Sequence, residues 1–291
     1  EVTSILFMVA AMLNLLDRSK VNPAPFILML VFTTNIGSSA TVVGNPIGVI
    51  IALRSGLTFA EFLRWATPIS LACLALTIAI CLQLFKREIK ALKSVLAGRK
   101  GERQLERIVE KEHATKRGIQ QAWLLFGAVI LGLVCHHHLE EWLDLPKNTM
   151  LLGVALLGAG AALAIVGERA RELVDKRVDW WTLAFFLFLF ASVGTLKQTG
   201  VTGVIAQRII AWSGGSVPIL TSLFAWSSGA LTAVMDNVLA VATFVPIVND
   251  VGAAGLQTFP LWWAMLMGGT LMGNATLIGS TANIVAAGVL E

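Results

Sequence analysis

Charge is what this chain has least of. Asp, Glu, Lys and Arg together make up 14% of its 291 residues, against about 25% in a soluble domain. That is too little to clothe a water-facing surface. With 56% hydrophobic residues and a mean hydropathy of +0.76, the composition is that of a polytopic membrane protein. Cysteine is scarce as well. Cys73, Cys81 and Cys135 lie inside apolar runs without CxxC or Cys/His spacing, which argues against a disulfide framework or a zinc site and leaves buried packing. No HExxH, GxSxG or Walker sequence occurs, so an intramembrane enzyme and an ATP-driven pump in cis both lack their motifs, and no cofactor is expected. Tyrosine is absent altogether, for which we have no physical account. The nine tryptophans, most of them near segment ends, fit an interfacial belt.

Apolar segments occupy approximately 2–16, 25–35 with 46–53, 67–85, 119–139, 149–167, 180–196, 217–250 and 260–290. At about 20 residues per pass, the length allows roughly eight to ten crossings. Eleven Lys/Arg fall in the loop 86–118, four in the loop 168–179, and Arg18 and Lys20 follow the first segment. The positive-inside bias puts these loops in the cytoplasm. It also accounts for the net charge of +4, so no nucleic-acid partner is expected; the partners are the lipid bilayer and a small-molecule or ion substrate. Within 86–118 the stretch RQLERIVEKE reads as a solvated linker helix. FAEFLRW (59–65) and GVIAQRIIAW (203–212) are amphipathic and too short to span, and each is expected to lie flat at the interface. Glu1 opens at once on an apolar run and Glu291 follows a broken segment, which reads as a fragment of a longer protein.

Two polar, glycine-rich windows echo each other. TNIGSSATVVGNPIGVIIA, Thr34 to Ala52, returns about 235 residues later as TLMGNATLIGSTANIVAA, Thr270 to Ala287, with Ala40, Thr41, Gly44 and Ala52 aligned on Ala275, Thr276, Gly279 and Ala287. Unwound backbone at membrane depth is tolerated only where it is buried or lines a cavity, and a matched pair of such breaks points to a transport site. Threading from the charge bias makes the chain traverse the two breaks in opposite directions. The expected fold is therefore all-α and membrane-embedded: a polytopic helical transporter with inverted repeats, re-entrant hairpins and broken transmembrane helices. Residues 1–85 form the end of an N-terminal repeat with its broken helix at 25–53. Residues 86–118 form the cytoplasmic linker, and 119–291 a C-terminal inverted repeat with a hairpin at 217–250 and a broken helix at 260–290.

Asn35, Gly37, Ser38, Ser39, Thr41, Gly44 and Asn45 make up the first polar break, and Gly273, Asn274, Thr276, Gly279, Ser280, Thr281 and Asn283 the second. Unwound carbonyls suit Na⁺, whereas exposed N–H groups at a half-helix start suit an anion. Small-residue helix packing explains the glycines, but not Asn at both breaks or Pro46. Asp236 stands among some twenty otherwise uncharged residues, where a carboxylate at the bilayer centre costs about 2.5–3.5 kcal/mol. It is expected to face a cation, a proton pathway or a polar partner, or to cap the helix that follows it with Asn237. A possible coupling Na⁺ is placed near Asp236, Asn237 and Asn274. His136, His137 and His138 are consecutive and cannot share one helical face, so they read as an interfacial polar cluster, not a metal site.

NPAPFILMLVFTTNIGSSATVVGNP (22–46), VDWWTLAFFLFLF (178–190) and LTAVMDNVLAVATFVPIV (231–248) resemble hallmark segments of the ion transporter superfamily. That group includes arsenite permeases, Na⁺/H⁺ antiporters, citrate permeases and divalent anion:sodium symporters. Asp236, Asn237 and Val238 take the place of a hairpin-tip Ser-Asn-Thr. Gly44, Asn45, Pro46, Ile47 and Gly48 take the place of a more acidic GDPPN. The resemblance implies a secondary transporter of a small anion, either an inorganic oxyanion such as arsenite or a di- or tricarboxylate, coupled to a Na⁺ or H⁺ gradient. It also implies an elevator-like motion, a homodimer and a first hairpin tip lying before residue 1. A Na⁺/H⁺ antiporter is the alternative within the group; a channel or a non-transporting membrane scaffold is the alternative outside it. The expected location is the bacterial inner membrane.

Overall fold

The computed structural model describes residues 2–16, 21–96, 116–178 and 180–289; the linker stretch RQLERIVEKE, Arg18 and Lys20 lie outside them. Among the described residues every regular element is helical. In chain order these are α1 (Val2–Leu16), α2 (Ala24–Ser38), α3 (Pro46–Ser55), α4 (Phe59–Leu84), α5 (Lys86–Leu96), α6 (Lys116–Leu143), α7 (Thr149–Val166), α8 (Ala170–Arg177), α9 (Trp180–Gln198), α10 (Val201–Ser213), α11 (Val217–Val234), α12 (Asn237–Ala253), α13 (Phe259–Met272) and α14 (Thr281–Gly288). Four described stretches are long and apolar enough to cross a membrane: Phe59–Leu84, Gly118–Leu143, Thr149–Asp175 and Val217–Val234.

The breaks fall where the polar windows are. Helix α2 stops at Ser38 and α3 starts at Pro46; α13 stops at Met272 and α14 starts at Thr281. At an offset of 235 the two breaks share two features. Asn45 and Ser280 are both N-caps, accepting from Gly48 N–H and Ala282 N–H. One residue before each cap sits a glycine pressed onto backbone. A Cβ on Gly44 would lie 2.0 Å from the Ser38 carbonyl oxygen, and one on Gly279 would lie 2.6 Å from the Gly273 carbonyl oxygen. The echo in the sequence thus reflects a repeated three-dimensional device.

The two broken helices run antiparallel. Asn35 bonds Asn283 and Asn274, whereas Asn45 bonds Thr270, so position falls along one chain segment as it rises along the other. Helix α2 packs on α14 and α3 packs on α13. Ile27 and Val31 share a buried cluster with Ala282 and Ala286, which α1 completes through Ile5 and Val9. This head-to-tail pairing is the inverted-repeat architecture expected of the fold.

Residues 217–253 form the hairpin α11–α12, turning at Met235 and Asp236. Helix α11 runs alongside α13 in the same direction, and the pair is brought close by small residues: a Cβ on Gly268 would lie 2.2 Å from the Ala225 carbonyl oxygen, and one on Gly229 would lie 2.7 Å from Met272 Cγ. Close backbone approach of this kind maximises van der Waals contact where lipid supplies no hydrophobic drive. Gly268→Val is expected to force the helices apart and lower the thermal-unfolding midpoint of the solubilised protein, with a destabilisation at or above the ~1–3 kcal/mol typical of overpacking. An unchanged midpoint would mean the helices part freely.

One expectation needs correction. Phe59–Trp65 is not a separate surface helix but the first turns of α4, which continues unbroken through Pro68. A π-turn over Phe62–Ala66 makes this possible: Thr67 N–H bonds back five residues to the Phe62 carbonyl. Proline in a regular helix has no N–H and clashes with the carbonyl four residues earlier; the wider turn makes room for the ring, and Pro68 falls in the first turn of the α-helical segment that follows, where a missing N–H costs least. By contrast, α10 is a distinct short helix burying one face, Thr202, Ala206, Ile209 and Ser213, and it packs on α9, α11 and α12. Helices α6 and α7 pack mainly on each other and are otherwise almost wholly exposed.

Candidate functional site

Three helix starts meet the two breaks: α3 after Asn45, α12 after Asp236 and α14 after Ser280. Each start is capped by a side-chain oxygen on an orphan backbone N–H. Asp236 Oδ1 accepts from Val238 N–H at 2.9 Å, and Oδ2 accepts from the Thr281 hydroxyl at 3.0 Å. The carboxylate is therefore both a helix cap and the tie between the hairpin tip and the second break. Each of its oxygens keeps acceptor capacity for a cation or a proton, and the residue is half-buried, with buried Asn237 next to it.

An amide network joins the breaks. Asn35, 1% exposed, donates through Nδ2 to Asn274 Oδ1 and to Asn283 Oδ1, both at 2.8 Å, and its Oδ1 accepts from the Ser280 hydroxyl at 3.2 Å. Asn283 Nδ2 donates to the Gly273 and Thr276 carbonyls, each at 2.7 Å. These bonds hold the unwound backbone of the second break. Asn45 does the same for the first break: Nδ2 donates to Ser38 Oγ at 3.0 Å and at 3.5 Å to Thr270 Oγ1, while Oδ1 takes Gly48 N–H at 2.8 Å.

Of the residues singled out from the sequence, Asn35, Asn274, Ser280 and Asn283 come into direct contact. Ser38 joins them by donating its hydroxyl to the Asn35 carbonyl at 2.7 Å, Asn45 joins through Ser38, and Gly273 joins through its carbonyl. Asp236 reaches the group through Thr281. Gly44 and Gly279 shape the turns. Thr276 is exposed and donates to the Ala233 carbonyl at 2.7 Å. Ser39 turns away, sharing a 2.7 Å hydroxyl contact with Ser70 of α4 while donating to the Ile36 carbonyl. Gly37 lies in open space, and Thr41 is half-buried within the first break.

Thr270 and Ser70 went unmarked in the sequence, because each sits in an apolar helix and only its partner in space gives it a role. The three histidines divide into one buried and two outward-facing side chains, and His138, like His137, approaches Glu141. His136 is buried, with Nδ1 donating to the Leu133 carbonyl at 2.8 Å, and His137 turns out toward Glu141. Among the described residues no group of three His, Cys, Asp or Glu side chains could hold a metal ion.

Comparison with known proteins adds ancestry. The family described as citrate transporter matches residues 1–268. An uncharacterized transporter of Mycobacterium bovis is 34% identical over 295 residues, covering 99% of this chain and 65% of that protein. A 46 kDa membrane protein of Mycobacterium leprae is 32% identical over 289 residues, covering 98% and 64%. The human P protein is 24% identical over 364 residues, covering 100% and 43%. The chain thus spans just under two thirds of the length of the mycobacterial relatives it matches.

Proposed function

The chain belongs to the citrate transporter family, and on that premise we propose that it moves a small anion across a membrane, coupled to a Na⁺ or H⁺ gradient. The anion is a di- or tricarboxylate or an inorganic oxyanion such as arsenite. The observation that carries this reading is the Thr281–Asp236 bond: it sets the carboxylate at the hairpin tip against the second break, which packs head to tail on the first. Helix starts at the same place favour negative charge, and Asp236 favours a cation or a proton, so a solute and a coupling ion have neighbouring seats.

The same carboxylate supports a second reading, Na⁺/H⁺ antiport, in which Asp236 exchanges its two cations and no anion moves. A channel or a scaffold has no use for paired breaks. The protein is an integral membrane protein; the bacterial inner membrane, the cytoplasmic placing of 86–118 and 168–179, and assembly as a homodimer are parts of the proposal. Exposed α6 and α7 offer apolar surface to lipid or to a second copy.

Flux into proteoliposomes tests the reading. With the full-length protein and imposed Na⁺ or pH gradients, citrate, succinate or arsenite is expected to accumulate under one gradient and to stop when it is collapsed. Exchange of Na⁺ for H⁺ with no anion movement would select the antiporter, and no gradient-dependent movement of any of them would favour the channel or scaffold.

A further inference from the structure

From the hydrogen-bond polarity of the two breaks we infer that Asn274 offers N–H donors to the transported species and therefore seats its anionic oxygen, not Na⁺. On the same grounds Asn35, which does not touch the solute, is the positioning residue that enforces this. The inference rests on the site proposed above and sharpens what that site accepts.

The argument starts from two backbone carbonyls, whose polarity cannot be reversed. Gly273 O and Thr276 O can only accept, so the Asn283 atom between them is its NH₂ group, and its Oδ1 points the other way, to Asn35. Asn35 must answer that oxygen with its own NH₂, whose second N–H then falls on Asn274. The Asn274 atom meeting a donor is its oxygen. Asn35 Oδ1 is left on the opposite side, where the Ser280 hydroxyl donates to it. Side-chain amides look alike in shape and are told apart only by such chains of donors and acceptors; here two carbonyls orient three amides.

The consequence is asymmetric. Asn35 and Asn283 have both N–H groups engaged within the protein and are buried. Asn274 is half-buried, its oxygen is taken, and its Nδ2 makes no hydrogen bond among the described residues. An NH₂ group binds carboxylate or oxyanion oxygen and repels a metal cation. Cation ligation is thereby left to Asp236 and to backbone oxygens.

The test is equilibrium binding of ²²Na⁺ and of [¹⁴C]citrate to the purified full-length protein, with thermal unfolding as the control for folding. Asn274→Asp keeps an oxygen for Asn35 but removes the donors, and is expected to weaken citrate binding by about 10- to 100-fold, the effect of losing a hydrogen bond to a charged group. Na⁺ affinity should not fall, because the new carboxylate adds negative charge beside the cation seat. Asn35→Asp cannot donate, so Asn274 turns its NH₂ toward the new carboxylate and its oxygen toward the solute. The citrate loss should match that of Asn274→Asp, since both variants take the same N–H donor away from the solute.

A citrate loss in Asn35→Asp well beyond that of Asn274→Asp, with the fold intact, would place Asn35 in direct contact with the solute and overturn its positioning role. If Asn35→Asp fails to fold, Asn274→Asp alone decides the polarity. Loss of Na⁺ binding in Asn274→Asp with citrate retained would overturn the inference. Wild-type protein that binds Na⁺ but no citrate sinks the inference together with the carboxylate reading of function. Wild-type protein that binds both, with citrate affinity unchanged in Asn274→Asp, sinks the inference alone.

Discussion

Asp236→Asn is expected to lower gradient-driven uptake by about a hundredfold or more, a loss on the scale of one charge-assisted contact removed from a desolvated site. The substitution isolates charge from geometry. An asparagine oxygen can still cap Val238 N–H, and the Thr281 hydroxyl, which both donates and accepts, can rotate to receive the new N–H in place of giving its own. The hairpin tip should hold its shape and the unfolding midpoint should stay near that of the wild type, while the seat for a coupling cation or proton is lost. Flux in proteoliposomes and thermal unfolding of the same preparation give the two readouts. Uptake within twofold of wild type would remove Asp236 from the coupling mechanism and leave it a helix cap.

The second large effect concerns the glycines before the caps. Gly44→Ala and Gly279→Ala are expected to behave as a pair, each costing transport more than about tenfold and lowering stability by about 3 kcal/mol or more, the upper end of overpacking. The reason is what the new methyl group meets. At Gly44 it would lie 2.0 Å from the Ser38 carbonyl oxygen and at Gly279 2.6 Å from that of Gly273. Both obstacles are backbone inside a turn, which cannot rotate aside as a side chain would. Gly127→Ala in α6, with nothing within 4 Å of the added Cβ, serves as control and should be neutral or slightly stabilising. If Gly44→Ala is damaging and Gly279→Ala is not, the two breaks are not functional equivalents despite their shared geometry.

Those glycines also explain why so much of the architecture could be read from the residues alone. A tight turn onto a carbonyl followed by a capped helix start is a local requirement, so Gly44–Asn45–Pro46 and Gly279–Ser280–Thr281 carry it in consecutive letters, and the 235-residue echo exposes the repeat. The hairpin was legible for a similar reason: one carboxylate in a long apolar run has few places to go. The continuation of α4 through Pro68 was not legible, since a π-turn depends on how the whole helix packs and leaves no fixed signature in FLRWA. Nor was the amide network. Its bonds span 239 and 248 residues, and the sequence states that asparagines are present without stating which way each one faces.

Helices α6 and α7 hold each other through small-residue notches, Gly132 against Val154 and Gly158 against Val129, yet they grip the rest of the molecule mainly at one end. There, buried Asn148, in a left-handed conformation, donates to the Ala52 carbonyl at the foot of α3, and Glu140 accepts from Met150 N–H. A pair fastened at one end and bathed by acyl chains along its length is the part of the fold that a thicker or thinner bilayer tilts first. Hydrophobic mismatch is therefore expected to be absorbed at the periphery, leaving the breaks in register from one lipid composition to another.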